Sequence, residues 1–443
     1  MGNLKNNILK NKILETIKYD YNHLKLPLVI FAFLLIYMNI LLGRKIPAFN
    51  LVSSIYRTGW KGSFWLGQYF TKRFLGTKKK ADLMLRLAID DINPLPNTEK
   101  FFTQPEKMLG TIITVLKSPK ENEKGVLILN YSYYFLMFHK LYQVENILDN
   151  YIIILEPSWA GFCELSILSY MHLPQDVYLM CYEKRDLKFI SSLHSSLIPL
   201  EIGPSWFVNH ENFQPLVVEQ NIDVIMVAAW AKFKRHGDFF KAIAKLKEQG
   251  ITPKIVLVGY QVDMTKQQIL DLALHHGVEK WITIYESITH AEVAELLNES
   301  KVNVLWSKFE GNNRAIIEGM FCNTTVIMRE GHNYGEKYDF INNHTGCFAD
   351  EDTLAASITK ILSTYDNYTP RDYVLNNRSC IKATEIMNKV LSKREQAQGR
   401  NWTEDMTVKV NELHQMDYLD PSVRDSFSGD YKYLFEQLNV KTD

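Results

Sequence analysis

Short apolar segments alternate with segments of helical character along most of the 443-residue chain, and this alternation constrains its fold most strongly. Apolar strands separated by helices pair side by side in a parallel sheet, because the crossover helices cover both sheet faces. The pattern therefore predicts an α/β protein. The predicted strands begin at Gly125, Tyr151, Asp176, Leu197, Asp223, Pro253, Trp281, Val302 and Thr324.

The strand and helix pattern occurs in two series, separated by a largely polar and irregular stretch at 209–221. A chain of this length is also too long for one ordinary hydrophobic core. We predict two Rossmann-like, doubly wound domains with a ligand cleft between them, at the carboxyl ends of their strands. The predicted boundaries are 1–80 for an N-terminal segment, 81–215 and 216–370 for the two domains, and 371–443 for a helical tail.

The overall composition excludes several kinds of partner and cofactor. Fifty basic residues balance fifty acidic ones, so net charge predicts no nucleic-acid partner. The five cysteines contain no C-x-x-C pair, which favours reduced thiols in a cytosolic compartment. No group of His, Asp and Cys residues has the spacing of metal ligands, so we expect neither a metal ion nor another cofactor.

The segment 26–80 carries the chemistry of a membrane contact. Leu26 to Gly43 contains no charged residue and is about the shortest run that can span a bilayer as a helix. From Arg44 to Lys80 basic and aromatic residues are interleaved without any acid, as suits a lipid headgroup layer. We predict a membrane-associated protein with cytoplasmic catalytic domains, anchored by a spanning helix or by a monotopic one. A buried helix of a soluble domain is the alternative.

The strongest local motif is SKFEGNNRAIIEGM at 307–320, between a predicted strand and a helix that starts near Asn313. Glu310 falls on the loop, and Glu318 lies about one and a half turns into the helix. The backbone N–H groups at a helix N-terminus favour a bound diphosphate, and a carboxylate deeper in the helix can accept hydrogen bonds from ribose hydroxyls. The candidate donor-binding residues of this motif are Gly311, Asn312, Asn313, Arg314 and Glu318.

This motif resembles the donor-site signature of the retaining glycosyltransferases of family 4, which have the two-domain fold called GT-B. The resemblance rests on Glu310-x7-Glu318, the small-residue helix that follows, and the strand at 324–329. It extends over about 223–365 and includes a turn at 343–348 that is similar to a glycine-containing turn of the family. The resemblance implies a nucleotide-sugar donor, with Glu318 on the ribose and Glu310 on the transferred sugar at the catalytic centre.

A second motif, AKFKRHG at 231–237, follows the predicted strand that starts at Asp223. In the family this loop supplies an arginine and a lysine to the donor phosphates, where they neutralise the leaving group. Lys234 resembles that catalytic lysine. The family's arginine is absent, because the region just after the strand holds Ala228, Ala229 and Trp230. Lys232, Arg235 or Arg314 could replace it.

The N-terminal domain offers weaker candidates for binding an acceptor. EPSWAGF at 156–162 follows a strand, so we expect Glu156, Trp159 and Gly161 to face the cleft. Trp159 could stack on a sugar ring or could equally be a packing aromatic in a tight turn, and Gly161 would permit close approach.

These patterns together predict a membrane-associated, nucleotide-sugar-dependent hexosyltransferase that acts with retention. A lipid-linked glycan or a polysaccharide is the expected acceptor, in cell-surface glycan biosynthesis. The alternatives are a catalytically inactive GT-B scaffold and a sugar-nucleotide epimerase of the same fold. A nicotinamide-dependent enzyme is disfavoured, because no G-x-G-x-x-G follows a predicted strand.

Overall fold

The computed structural model describes residues 13, 16, 17, 20–90, 92, 112–308, 310–331, 338–412 and 416–438. Phe309 of the 307–320 motif lies outside these residues. The chain forms two compact units. The N-terminal unit comprises Asn22–Phe207 and Cys380–Asp443, and the C-terminal unit comprises Val208–Ser379 with Met1–Tyr21.

Four helices open the N-terminal unit: α1 (Leu26–Leu41), α2 (Lys45–Arg57), α3 (Ser63–Leu75) and α4 (Lys78–Asp90). Gly43 and Gly62 have φ values of 75° and 92°, which other residues rarely adopt, and they separate the first three helices. By length and composition, Asn22–Leu41 could cross a membrane, a test that core helices of soluble proteins and signal sequences also pass.

The first sheet has five strands in the order β1-β2-β3-β4-β5. Its strands are β1 (Ile113–Lys117), β2 (Gly125–Asn130), β3 (Tyr151–Glu156), β4 (Val177–Met180) and β5 (Leu197–Leu200). The helices among them are α5 (Ser132–Leu141), α6 (Val144–Asn150), α7 (Leu165–Leu168) and α8 (Lys184–Ser191). Strands β2 to β5 are parallel, whereas β1 is antiparallel to β2. The sequence did not predict β1, whose link to β2 is shorter than a parallel crossover needs.

The C-terminal unit contains a six-stranded sheet, all parallel, in the order β11-β10-β9-β6-β7-β8. The strands are β6 (Ile222–Val227), β7 (Ile255–Gly259), β8 (Ile282–Glu286), β9 (Ser300–Leu305), β10 (Thr325–Arg329) and β11 (Gly346–Ala349). The helices are α9 (His236–Ile243), α10 (Lys266–His275), α11 (His290–Asn298), α12 (Arg314–Phe321), α13 (Leu354–Leu362) and α14 (Pro370–Asn377).

Alternate residues of the inner strands enter two separate apolar clusters. In β7, for example, Ile255 and Leu257 belong to one cluster, and Val256 and Val258 to the other. Both faces of the sheet are therefore covered, which explains why these strands are apolar throughout. Strands β6, β7 and β8 follow one another toward one edge of the sheet, and the chain then returns to place β9 on the other side of β6. The strand order therefore reverses between β6 and β9.

The last part of the chain returns to the N-terminal unit. It contains α15 (Cys380–Ala397), a hairpin of β12 (Lys409–Asn411) and β13 (Met416–Tyr418), and α16 (Ser428–Glu436). Val115 of the edge strand β1 donates its N–H to the Tyr431 hydroxyl at 3.0 Å and accepts from the Tyr418 hydroxyl at 2.8 Å. The returning segment thus satisfies backbone groups of an otherwise open sheet edge.

The predicted fold class is confirmed: the protein is α/β, with two Rossmann-like sheets. The strand order reverses in the second sheet only. The predicted domain boundaries stay predictions, and the sequence did not indicate that residues from Cys380 onward join the same unit as 22–207.

Candidate active site

The candidate donor site lies in the C-terminal unit, at the carboxyl ends of β6 and β9. These two strands are hydrogen-bonded neighbours, with Val224 opposite Val302 and Ile225 opposite Asn303. The strand order reverses between them, and at such a point the loops diverge and leave a crevice for a ligand. The two motifs selected from the sequence are the loops that follow these two strands.

Two contacts between described residues join these loops. The Lys308 N–H donates to the Phe233 carbonyl at 3.0 Å. The Lys234 ammonium forms an ion pair with the Glu310 carboxylate, and both side chains are about nine-tenths buried. Two catalytic candidates that are 76 residues apart in sequence are therefore in direct contact.

The ion pair sets the charge of Glu310. Burial, the largest single effect, would raise the pKa of its carboxyl. The Lys234 charge and hydrogen bonds from Lys234, Ser307 and Asn313 together outweigh burial and hold the pKa below its usual value. Glu310 is consequently ionised at neutral pH. An ionised carboxylate can only accept hydrogen bonds, as is suitable for a group that holds sugar hydroxyls.

Helix α12 begins beside Glu310. Asn313 caps it, because its Oδ1 accepts a hydrogen bond from the Ile316 N–H at 3.1 Å. Gly311 and Asn312 form the bend that leads into the cap, and the Tyr338 hydroxyl donates to the Gly311 carbonyl at 2.8 Å. The backbone amides at a helix N-terminus carry partial positive charge, which favours an anion at this position.

Glu318 lies in the second turn of α12 and is buried. Burial raises the pKa of its carboxyl, although the Arg314 guanidinium, with Nε at 3.6 Å from Oε1, opposes the shift. The pKa of Glu310 is therefore lowered and the pKa of Glu318 is raised from the same ordinary value. Environments that separate two carboxyl groups in this way are typical of functional sites.

The basic residues proposed to replace the missing arginine have different surroundings. Arg235 is buried and donates to Asp238 at 3.0 Å and to Asp20 at 3.1 Å, so two carboxylates already hold its guanidinium. Lys232 donates its backbone N–H to Asp263 and is half-buried. Arg235, with 5% of its side chain exposed, is accordingly less available to a phosphate than Arg314, with 32% exposed.

Sequence reasoning missed two residues of this region. His236 is the first residue of α9, and burial, helped by the Lys234 charge, lowers the pKa of its imidazole to about 3. Within the described parts of the chain neither ring nitrogen has a hydrogen-bond partner, and a buried group of this kind usually finds one in a ligand or water. Lys308, part of the motif but not selected, has its Nζ 3.5 Å from Asp20. No sequence pattern distinguished either residue.

The acceptor candidates belong to the N-terminal unit. Glu156, the last residue of β3, is 2% exposed and accepts hydrogen bonds from Lys409 and Asn411 of the returning segment. Its carboxylate already has partners inside the unit. Its acceptor role stays a prediction.

Trp159 is 41% exposed, with its Nε1 donating to Glu164 at 2.9 Å and its ring 5.3 Å from the Arg57 guanidinium carbon. Gly161 has a φ of 97°, and its N–H donates to Asp186 at 2.7 Å. A side chain at Gly161 would be strained and would meet Arg57 at 3.1 Å. Of the three acceptor candidates, Trp159 alone presents a substantial exposed surface.

The family comparison selects the same part of the chain. Residues 208–378 match the family model "Glycosyl transferases group 1". The match covers less than half of the chain and includes both loops of the candidate site. It confirms the glycosyltransferase class predicted from the sequence for this part of the protein. No curated protein sequence matches the chain.

Solved structures with a similar fold share little sequence with this chain. Sucrose-phosphate synthase from Thermosynechococcus elongatus is 14% identical over 56% of this chain and 69% of that one, with a TM-score of 0.43. A TarM variant from S. aureus is 16% identical over 60% of this chain, with a TM-score of 0.45. The chain spans only about half, 54%, of that structure. HepE from Anabaena is 10% identical over 60% of this chain and 78% of that one, with a TM-score of 0.45.

Proposed function

We propose that the protein transfers a sugar from a nucleotide-sugar donor, with retention, in the manner of the family 4 glycosyltransferases. The observation that carries this proposal is the buried Lys234–Glu310 ion pair at the point where the strand order reverses. It joins a cation suited to a phosphate and an acceptor suited to sugar hydroxyls, next to a helix N-terminus.

The donor would lie across the carboxyl ends of β6 and β9. Its diphosphate would contact the Lys234 ammonium and the amides of Gly311–Arg314, which neutralise the charge that develops on the leaving group. Glu310 would hold the transferred sugar and stabilise positive charge at the anomeric carbon. Glu318 would accept hydrogen bonds from the ribose. Lys232 and Arg314 would supply further positive charge in place of the family's arginine, and no metal ion or other cofactor is required.

The acceptor we propose is a lipid-linked glycan or a polysaccharide under construction. This choice of acceptor is supported by the apolar helix α1 and by the basic, aromatic segment that follows it. Both features favour an enzyme that binds a membrane surface, with its catalytic units in the cytoplasm. Trp159, with its exposed ring, is the acceptor-binding residue we would test first.

One observation favours a second candidate function, a catalytically inactive GT-B scaffold. The family's arginine is absent, and Arg235, one of the three basic residues considered in its place, is already bound by Asp238 and Asp20. A scaffold would keep the fold without binding a donor.

A thermal-shift panel of nucleoside diphosphates separates the two candidates. We expect one nucleotide to raise the melting temperature of the wild type and of Glu295→Gln, a change at an exposed helix residue of the same unit. The same nucleotide should have no effect on Glu318→Gln. If no nucleotide shifts the folded wild-type protein, the scaffold is favoured.

Transfer itself is then assayed with the corresponding nucleotide-sugars. Retention predicts that the product keeps the anomeric configuration of the donor, which NMR of the first product reads directly. A product with the inverted anomeric configuration would disprove the retaining mechanism of family 4, although the assignment of the donor site would stand.

A further inference from the structure

Helix α1 is held in the N-terminal unit by one of its faces. Val29, Ala32 and Ile36 are at most 4% exposed, and they recur at the spacing of one helical face. On the same side, the Phe33 ring packs 5.4 Å from Phe70 and 5.9 Å from Trp65 of α3. This helix is therefore an integral part of the folded unit.

The opposite face of α1 is also apolar, and its side chains are exposed in the part of the chain that the structure describes. Its exposed residues, all between 38% and 84% accessible, are Leu26, Leu28, Ile30, Phe31, Leu34, Met38 and Leu41. Neighbouring exposed apolar side chains in such numbers indicate an interaction site rather than a solvated surface. We call this set the α1 outer face.

The charge around the α1 outer face indicates what covers it. No Asp or Glu occurs from Tyr21 to Ala81. The exposed basic residues of this segment are Arg44, Lys61, Lys72, Arg73, Lys78, Lys79 and Lys80. Trp65 and Tyr69 of α3 are 57% and 37% exposed, and such rings favour the headgroup layer of a bilayer. A second copy would bring like charges together, whereas an anionic bilayer complements them.

The packing of α1 argues against a spanning position. Crossing the membrane would separate the buried face of α1 from α2 and α3, which pack against this helix. It would break the 2.5 Å hydrogen bond between the hydroxyls of Tyr37 and Tyr69.

We propose that the protein docks on an anionic lipid bilayer through the α1 outer face, with α1 in the plane of the membrane and not across it. This inference deepens the membrane part of the proposed function and decides between the two anchors that the sequence left open. It does not depend on glycosyl transfer, so its test uses lipid binding only.

The first experiment is co-flotation of the full chain with vesicles of phosphatidylcholine alone or with phosphatidylglycerol. We expect binding to the anionic vesicles, weakened by about tenfold or more in Leu34→Glu/Met38→Glu and by salt. Leu274→Glu is the matched control, because Leu274 is 58% exposed in the other unit and Leu34 is 56% exposed. Lys234→Met should bind like the wild type, which separates docking from the donor site.

Unchanged vesicle binding in Leu34→Glu/Met38→Glu would overturn the proposal. Absence of vesicle binding, together with a dimer in sedimentation that the same variant abolishes, would also overturn it and assign the face to a second copy.

The second experiment tests the orientation of α1. Leu24→Cys and Leu42→Cys, at exposed positions flanking the helix, each carry a fluorophore that external dithionite bleaches. Labelled wild-type protein provides the background from the native cysteines. In sealed vesicles to which the protein is added afterwards, an in-plane helix leaves both labels accessible. Protection of one end would show a spanning helix and refute the in-plane position.

Discussion

The Lys234–Glu310 ion pair allows the structural and the catalytic roles of these residues to be measured separately. Lys234→Met removes the cation and leaves the Glu310 carboxylate in a site that is nearly closed to water. Loss of one partner of a buried pair costs about 3–5 kcal/mol of unfolding free energy. In a unit of this size each kcal/mol corresponds to about 2–4 °C, so we expect the melting temperature of the C-terminal unit to fall by about 6–20 °C.

The double variant Lys234→Met/Glu310→Leu should recover most of this loss, because two apolar side chains of similar volume replace the charges. Differential scanning calorimetry is the assay, since two units need not unfold in a single transition. The control is Lys245→Met, which breaks an exposed pair with Asp352 in the same unit and should cost less than about 1 kcal/mol.

Nucleotide binding and sugar transfer should not recover in the double variant, unlike the melting temperature. We expect both to be lost in Lys234→Met and to stay lost in the stable double variant, because the apolar replacements supply neither charge. If Lys234→Met lowers the melting temperature no more than Lys245→Met does, or if the double variant recovers nothing, the two side chains are not paired in the folded protein and the reasoning is refuted.

Further predictions concern acid titration, the helix cap and one glycine. The pKa of Glu310 is lowered in the folded state, so its ionised carboxylate stabilises the folded protein above the ordinary pKa of glutamate. This stabilisation is lost as the pH falls through the folded-state pKa. Melting curves in acid should show the loss in the wild type and not in Glu310→Gln. The pKa of Glu318 is raised, so nucleotide affinity, followed by calorimetric titration, should start to fall at a higher pH than an ordinary glutamate predicts, and a pH-independent affinity would contradict a role for this carboxylate. Asn313→Ala removes the cap of α12 and should cost about 1 kcal/mol, whereas Asn313→Asp should cost much less in the same melting assay. Gly346→Ala places a Cβ 1.8 Å from the Val326 carbonyl oxygen at a φ of 149°, so it should destabilise the unit more than Asn313→Ala, and equal melting temperatures would show that this turn can relax.

Local features of the site could be predicted from sequence, because they depend on neighbouring residues. The apolar strands beginning near Asp223 and Val302 reflect burial on both sheet faces, which their composition records directly. Asn313 precedes a helix in the position of a cap, and helical geometry then places Glu318 in the second turn. The family resemblance rests on such short-range order, and for that reason the family match at 208–378 agrees with it.

Contacts between distant segments were decided only by the tertiary structure. Hydrophobic periodicity does not specify the order of strands, so the adjacency of β6 and β9, and with it the Lys234–Glu310 pair, was not determined by sequence. The pairing of Arg235 with Asp20 spans 215 positions and follows no local pattern. The apolar run of α1 likewise predicted a membrane contact, but only its packing against α3 shows which face of the helix is left exposed.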